Sequence, residues 1–288
     1  MRWSARRARF REILGGGACV HPGSVFDPIS ARIAEDLGFE LGMFAGSVAS
    51  MAVLGAPDLI VLTLTEFAAQ AQRICRAGAL PLLVDADHGY GNALNVQRTV
   101  EELEMAGVAG LSIEDTELPQ PFGALGRTRL LSIEEGAGKM RAALEGRRDP
   151  DLAIAGRTSA VAVSGLDDAI ARARAYEAVG VDAIFLVGVK TREQLDAVSA
   201  AVGLPLILGG AGPEIMDLDY LSARGVRVCL QSHQPFMAAV QAVHDTLKAL
   251  RAGTPPQDLT GIATAETMKR LTRDADYRHW VSEFLGGE

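Results

Sequence analysis

LLVDADHGYGN, residues 82–92, is an apolar run that ends in two carboxylates one residue apart and then turns on glycines. If the run is a β-strand, alternation sends Asp85 and Asp87 to one side and Ala86 to the other. Gly89 and Gly91 allow a sharp turn and a close approach of the backbone to whatever sits there. Two converging carboxylates suit a divalent cation that keeps part of its water, the habit of Mg²⁺. The competing reading is that the pair caps the following helix or is simply solvated.

Working outward, the unit around this stretch recurs. An amphipathic helix ends at a glycine able to take the left-handed stop position, and a short apolar strand follows. Such units begin at Gly17 (ACV), Gly38 (FELGMF), Gly78 (ALPLLV), Gly107 (VAGLSI), Gly146 (with DLAIA a few residues on), Gly180 (VDAIFLV), Gly203 (LPLIL) and Gly225 (VRVCL). Eight such strands separated by helices ask for a parallel sheet covered on its outer face, and closure leaves no edge. The predicted fold is therefore α/β, a (β/α)₈ TIM-type barrel with a C-terminal helical extension; an open doubly wound sheet is the alternative. The length of 288 residues fits one barrel of roughly 250 residues plus an appendage. Residues 1–252 are read as the barrel domain with its N-terminal helix, and 253–288 as a helical tail. Thr63 and Glu66 form a capping box opening a helix through Arg76, and Val96, Val100 and Leu103 mark the buried stripe of the next. Leu166 to Val179 and Gln234 to Arg251 read as further helices. Gly253, Pro255 and Pro256 then lead to helical segments near 263–272 and 276–285.

The leading MRWSARRARFREIL is Arg-rich, but it has no apolar signal core. It reads as an amphipathic helix with Phe10, Ile13 and Leu14 turned inward. Hydrophobic residues make up 48% and charged residues 22% of the chain, which excludes disorder. A net charge of -8 argues against a nucleic-acid surface. No apolar run reaches the roughly 18 residues of a membrane span. Cys19, Cys75 and Cys229 lack the spacing of a disulfide framework or a zinc site. A cytoplasmic location is expected.

Barrels of this kind carry their chemistry at the C-terminal ends of the strands. Strand one ends in His21 and Ser24, two in Gly46 and Ser47, three in Asp85 and Asp87, four in Glu114 and Asp115, five in Arg157 and Thr158, and eight in Gln231, Ser232 and His233. Strands six and seven end in Val187, Gly188 and Gly209, Gly210, with no side-chain chemistry. Four acids thus gather opposite one arginine, as a metal site facing an anionic substrate would require. Glu114 either holds metal waters or pairs with Arg157 or Arg127, and Asp115 either joins the acids or caps its loop. Arg157 closes an apolar strand and is predicted to grip a carboxylate with its two-pronged guanidinium. Ser47 either offers its hydroxyl to an anion or is a plain loop serine. His233 is a candidate at the last strand end, while His21, His244 and His279 are read as structural and His88 as turned away from its two acids.

Four segments, LGFELGMFAGSVAS (37–50), APDLIVLTLTEF (56–67), VDADHGYGNALNVQRTVEELEMAGVAGLSIED (84–115) and IAGRT (154–158), resemble the isocitrate lyase and phosphoenolpyruvate mutase superfamily. The resemblance implies a (β/α)₈ barrel whose last helix is exchanged between partners in a dimer of dimers, with Mg²⁺, or Mn²⁺ in its place, holding a keto acid or its enolate. By resemblance Asp85 is the direct metal ligand, Asp87 and Glu114 reach the metal through water, Arg157 clamps a substrate carboxylate, and Ser47 binds the other end of the substrate. Lyases of the superfamily carry a K-x-C-G-H loop after the fourth strand. Here 117–125 reads ELPQPFGAL, without cysteine, lysine or histidine, and without the Lys and Asn of the phosphoryl mutases. The glutamate that 2-methylisocitrate lyases place after strand six is also missing from 186–188. The residues that remain, His233 included, are most similar to the branch that decarboxylates oxaloacetate.

The activity this resemblance implies is Mg²⁺-dependent decarboxylation of oxaloacetate to pyruvate and CO₂ through a metal-stabilised enolate, with Arg157 and Ser47 holding carboxylates and His233 contacting the far carboxylate or delivering a proton to the enolate. A carbon-carbon lyase on a 2-methylisocitrate-like or dimethylmalate-like substrate is the alternative. A non-catalytic keto-acid-binding barrel is the third reading.

Overall fold

The computed structural model describes residues 3–124 and 126–286. Met1 and Arg2 of the leading segment and Leu125 at the end of the 117–125 loop lie outside the described residues. Eight strands appear in the predicted order: β1 Gly23–Ser24, β2 Gly42–Phe44, β3 Leu82–Asp85, β4 Gly110–Glu114, β5 Ala153–Thr158, β6 Ala183–Leu186, β7 Leu206–Leu208 and β8 Val226–Cys229. The α-helices are α1 Ser4–Gly15, α2 Pro28–Asp36, α3 Gly46–Ala49, α4 Leu64–Arg76, α5 Ala93–Ala106, α6 Ile133–Gly146, α7 Ala160–Val163, α8 Leu166–Val179, α9 Arg192–Ala201, α10 Leu218–Ala223, α11 Gln234–Arg251, α12 Ala265–Thr272 and α13 Asp274–Leu285.

The strands are all parallel and pair in sequence order. The ring closes just ahead of β1, where Val20 bridges Val228: the Val20 amide donates to the Arg227 carbonyl and the Cys229 amide to the Val20 carbonyl, both at 3.0 Å. The first strand is therefore shorter and later than the ACV run suggested, because Val20 contributes a single bridge and the ladder with β2 begins at Gly23.

Directly paired residues of parallel strands share a face, so the register sorts the side chains. Leu82, Val84, Leu111, Ile113, Ile154, Ile184, Leu186, Leu206 and Leu208 join the apolar layer beneath the helices. The opposite, inward face carries Asp85 beside Ser112 and, one layer higher, a row running Glu114, Arg157, Phe185, Ile207, Val228. From β3 to β8 the strands thus turn aliphatic side chains outward, and Asp85, Ser112, Glu114 and Arg157 gather on the inner face.

The arginines of α1 serve the opposite end. Buried Arg7 pairs with Asp149 at 2.5 Å and donates to the Glu104 and Val108 carbonyls at 2.6 and 3.1 Å. Arg11 pairs with Asp182 at 2.6 Å, and Arg6 donates to the Cys75 and Gly78 carbonyls. The helix is a basic clamp on helix-to-strand turns, where carbonyls left over by the helices need donors. Phe10 and Leu14 are buried beneath it as predicted, and Ile13 is half-buried. The Thr63–Glu66 capping box is present, and the three cysteines are free and buried.

The chain forms two compact units, Met1–Ser232 and His233–Glu288. Within the second, α11 buries none of its residues, and Met237, Val240, Val243 and Leu247 are exposed along it.

Candidate active site

Strand β3 ends at Asp85, and the alternation that put Asp87 on the same side ends with it. Asp87 has φ +47°, in the left-handed region. A tight turn rather than the pleat brings the two carboxylates near each other: the Asp87 amide donates back to Asp85 Oδ1 at 3.3 Å, and its carbonyl accepts from the Glu114 amide at 2.8 Å. Gly46, at the start of α3, faces this turn. A Cβ there would lie 2.3 Å from Asp87 Oδ2, so any other residue would displace the carboxylate from this position. Ser47 follows directly in α3, half-buried.

Asp85 accepts a hydrogen bond from Ser112 Oγ at 2.9 Å and pairs with Arg157 Nη1. Arg157 Nη2 lies 3.5 Å from Glu114 Oε2, and Thr116 Oγ1 donates to the same oxygen at 2.9 Å. The guanidinium carbon stands 5.5 Å from the centroid of the Phe185 ring, and Nε is buried with no hydrogen-bond partner among the described residues. Of the readings open for Glu114, the ion pair with Arg157 is present. That guanidinium therefore faces two carboxylates of the protein itself.

Burial, followed by repulsion from Asp85 and Glu114, holds the Asp87 carboxyl well above the usual range. Burial also raises Glu114, with Arg157 opposing and Asp85 adding to the shift. Asp58, in the loop after α3, is raised by burial and by the charge of Asp85. Arg157 is pushed up although burial works against its charge, because Asp85 and Glu114 outweigh it. Four acids thus concentrate more negative charge than one arginine neutralises.

Among the described residues no cluster of three or more His, Cys, Asp and Glu side chains is arranged to hold a metal ion. A closed cage such as Zn²⁺ or Ca²⁺ favours is absent there. The oxygen-only donor set, with Asp85, Asp87 and Glu114 gathered around one arginine, fits instead a cation taking one or two carboxylates and completing its shell with water or substrate.

Asp115 turns the other way. It is wholly buried and accepts from Arg172 Nη1 at 2.9 Å and Tyr176 Oη at 2.6 Å, while its amide donates to the Arg157 carbonyl at 3.3 Å. It ties the ends of β4 and β5 to α8 rather than joining the acids. His88 is buried, its ring 6.0 Å from that of Tyr90, and burial with the nearby Lys139 cation pushes it down to about 4. His21 Nδ1 donates to the Cys229 carbonyl, 2.7 Å away, as a strand-end tie. His233 is the residue preceding α11 and belongs to the C-terminal unit. Sequence reading missed Ser112 and Asp58. Ser112 was accessible as the residue two before Glu114 on the same strand face; Asp58 sits in a loop with no periodicity to orient it.

Residues 10–251 match the model of the phosphoenolpyruvate phosphomutase family. An oxaloacetate decarboxylase of Rhodopseudomonas palustris (strain BisB18) is 60% identical over 286 residues, 99% of each chain. The crystal structure of a phosphoenolpyruvate phosphomutase from Streptomyces platensis subsp. rosaceus superposes with a TM-score of 0.86 at 28% identity, covering 97% of this chain and 99% of that one. A phosphonopyruvate hydrolase in complex with oxalate and Mg²⁺ superposes with a TM-score of 0.85 at 26% identity, covering 97% and 99%.

Proposed function

Since the chain belongs to the phosphoenolpyruvate phosphomutase family and is a carbon-carbon lyase of the carboxy-lyase type, we propose that it removes CO₂ from oxaloacetate and leaves pyruvate. The observation that carries this reading is the full-length 60% identity to an oxaloacetate decarboxylase. The site is consistent with it in what it keeps and what it lacks. The acids and the arginine gather at one rim, while the segment after β4 presents Phe122 to solvent and offers no cysteine, lysine or histidine.

That loss is chemically permissible. Breaking the C3–C4 bond of a β-keto acid leaves an electron pair that must spread onto the C2 carbonyl oxygen, so the step needs a sink for charge and no base. Asp85 would hold Mg²⁺, or Mn²⁺, with Asp87 and Glu114 reaching it through water. When bound, such a cation supplies Lewis-acid stabilisation of the negative charge that develops at the substrate carbonyl. The phosphonopyruvate hydrolase structure, with its oxalate and Mg²⁺, supports this pairing of fold and ion.

Arg157 has the fork geometry to bind a substrate carboxylate, and its guanidinium carbon lies 5.5 Å from the centroid of the Phe185 ring. Ser47 offers its hydroxyl to the other end of the substrate. The resemblance assigns to His233 the far carboxylate or the return of a proton to C3 once CO₂ has left. The purified chain supplied with oxaloacetate and Mg²⁺ is expected to release pyruvate and CO₂ in equal amounts and to stop when a chelator is added. Turnover that ignores the chelator would refute the metal assignment, and absence of turnover the substrate.

The proposal extends to assembly. Exposed Met237, Val240, Val243 and Leu247 give α11 an apolar stripe too long for a solvated helix, and the family resemblance implies exchange of this helix in a dimer of dimers. Light scattering on the intact protein is expected to report a tetramer; a monomer at micromolar concentration would refute it. No helix among the described residues is long and apolar enough to cross a membrane, and a cytoplasmic site of action is part of the same proposal.

A further inference from the structure

Alternation persists past the end of β4. Glu114 and Thr116 share one side of the chain and Asp115 takes the other. Thr116 Oγ1 therefore reaches Glu114 Oε2 at 2.9 Å, while the Asp115 carboxylate turns to Arg172 and Tyr176 of α8. The chain then comes back on itself. Thr116 bridges Leu130 antiparallel, the Glu117 amide donates to the Arg129 carbonyl at 2.8 Å, and the Leu131 amide donates to the Asp115 carbonyl at 2.8 Å. Residues 115–117 and 129–131 thus form a two-stranded stem, and so short a pair is marginal without outside support.

The support comes from α8. Arg172 is 6% exposed, and its Nη1 donates to Asp115 Oδ2 at 2.9 Å and to the Leu131 carbonyl at 2.8 Å, so one nitrogen grips both strands of the stem. Its Nε is held by Asp168 Oδ2 at 2.8 Å. Tyr176 Oη gives Asp115 Oδ2 a second bond at 2.6 Å, and Oδ1 is buried with no hydrogen-bond partner among the described residues. Tyr176 itself has little room to move: a Cβ at Gly136 would lie 2.5 Å from its hydroxyl, and one at Gly156 3.0 Å from its ring. The stem in turn decides where Thr116 stands, and Thr116 orients Glu114.

We propose that Arg172 and Tyr176 are positioning residues for the reaction. Through Asp115 and the stem they set Thr116, and through its hydroxyl the Glu114 carboxylate, beside Arg157 at the rim. Neither touches substrate or metal. Their effect on turnover rests on the decarboxylase reading, in which Glu114 reaches Mg²⁺ through water.

The test measures Mg²⁺ affinity by calorimetry and kcat for oxaloacetate on the parent, R172K, Y176F, T116V, T116S and the double variant Y176F/T116V, with trypsin cleavage of the metal-free proteins beside them. Groups that orient a metal's ligands are worth about 10–100-fold in affinity or activity, so R172K and T116V are each expected to weaken Mg²⁺ binding and lower kcat by about tenfold, and Y176F by somewhat less. T116S keeps the donor and is expected to recover most of the loss. The double variant is expected to be no worse than T116V alone, because both changes act on one contact. R172K should also be cut faster at exposed Arg127 and Arg129, whereas T116V should not.

Parental Mg²⁺ affinity and kcat in folded T116V, or in both R172K and Y176F, overturn the inference, whatever happens to the melting temperature. So does a double variant whose loss is the product of the single losses, and if R172K does not fold, Y176F and its cycle with T116V decide alone. A parent that binds Mg²⁺ but leaves oxaloacetate intact removes the decarboxylase reading, and the Mg²⁺ affinities still decide the positioning roles. A parent that binds no Mg²⁺ removes both.

Discussion

Asp85→Ala is expected to lower kcat for oxaloacetate by about 10³-fold, the loss seen when one principal source of transition-state charge stabilisation is removed. The carboxylate is the meeting point of the site: Ser112 Oγ, the Asp87 amide and Arg157 all donate to it. Its removal deletes the anchor for a cation and leaves Arg157 with Glu114 alone, at 3.5 Å. The variant should also fail to bind Mg²⁺ by calorimetry. Asp85→Asn, which preserves shape and the Ser112 contact, should be nearly as inactive, since the missing element is charge. Activity in either variant within tenfold of the parent would exclude Asp85 from the chemistry.

For Arg157→Met the expected loss is in kcat/KM, again about 10³-fold, divided between a raised KM and a lowered kcat because the group both binds substrate and balances the acids. Arg157→Lys should recover little: an ammonium cannot span Asp85 and Glu114 as the fork does. A second readout separates the two duties. Burial and neighbouring charge already hold Asp87 and Glu114 above the ordinary carboxylate range, and deleting the cation raises both further. Groups whose folded pKa exceeds the unfolded value keep more protons in the native state, so stability falls as pH rises through that interval. In metal-free buffer the melting temperature of Arg157→Met should therefore drop more steeply than the parent's as pH increases above the carboxylate range. A Lys variant with parental kcat/KM would contradict the assignment.

The barrel was legible because its signal is repetition. Helices α5 and α8 end at Gly107 and Gly180 with φ of +96° and +101°, the left-handed stops the pattern was built on, and apolar runs are hard to disguise when both faces are buried. The first strand was misplaced because ACV has the right composition but only Val20 reaches a partner. The acids at the ends of β3 and β4 were legible as a group for the same reason that a strand end has few directions to point. Their detailed arrangement was not. The convergence of Asp85 and Asp87 depends on a left-handed residue and on the vacancy at Gly46, both long-range consequences of packing that no local spacing encodes. Asp115 shows the converse error, since one residue's difference in phase carries it to the far side of the sheet and into the Arg172–Tyr176 network.

The basic clamp of α1 also bears on biosynthesis. Its acceptors are spread along the chain, and Asp149 and Asp182 emerge from the ribosome long after Arg7 and Arg11. At about 5–20 residues per second, the interval is roughly seven to thirty-five seconds. Throughout it the first helix has its guanidinium groups without their carboxylates and Phe10 without its cover. The ion pairs of Arg7 and Arg11 can therefore form only after β4 and β5, respectively, have been synthesised.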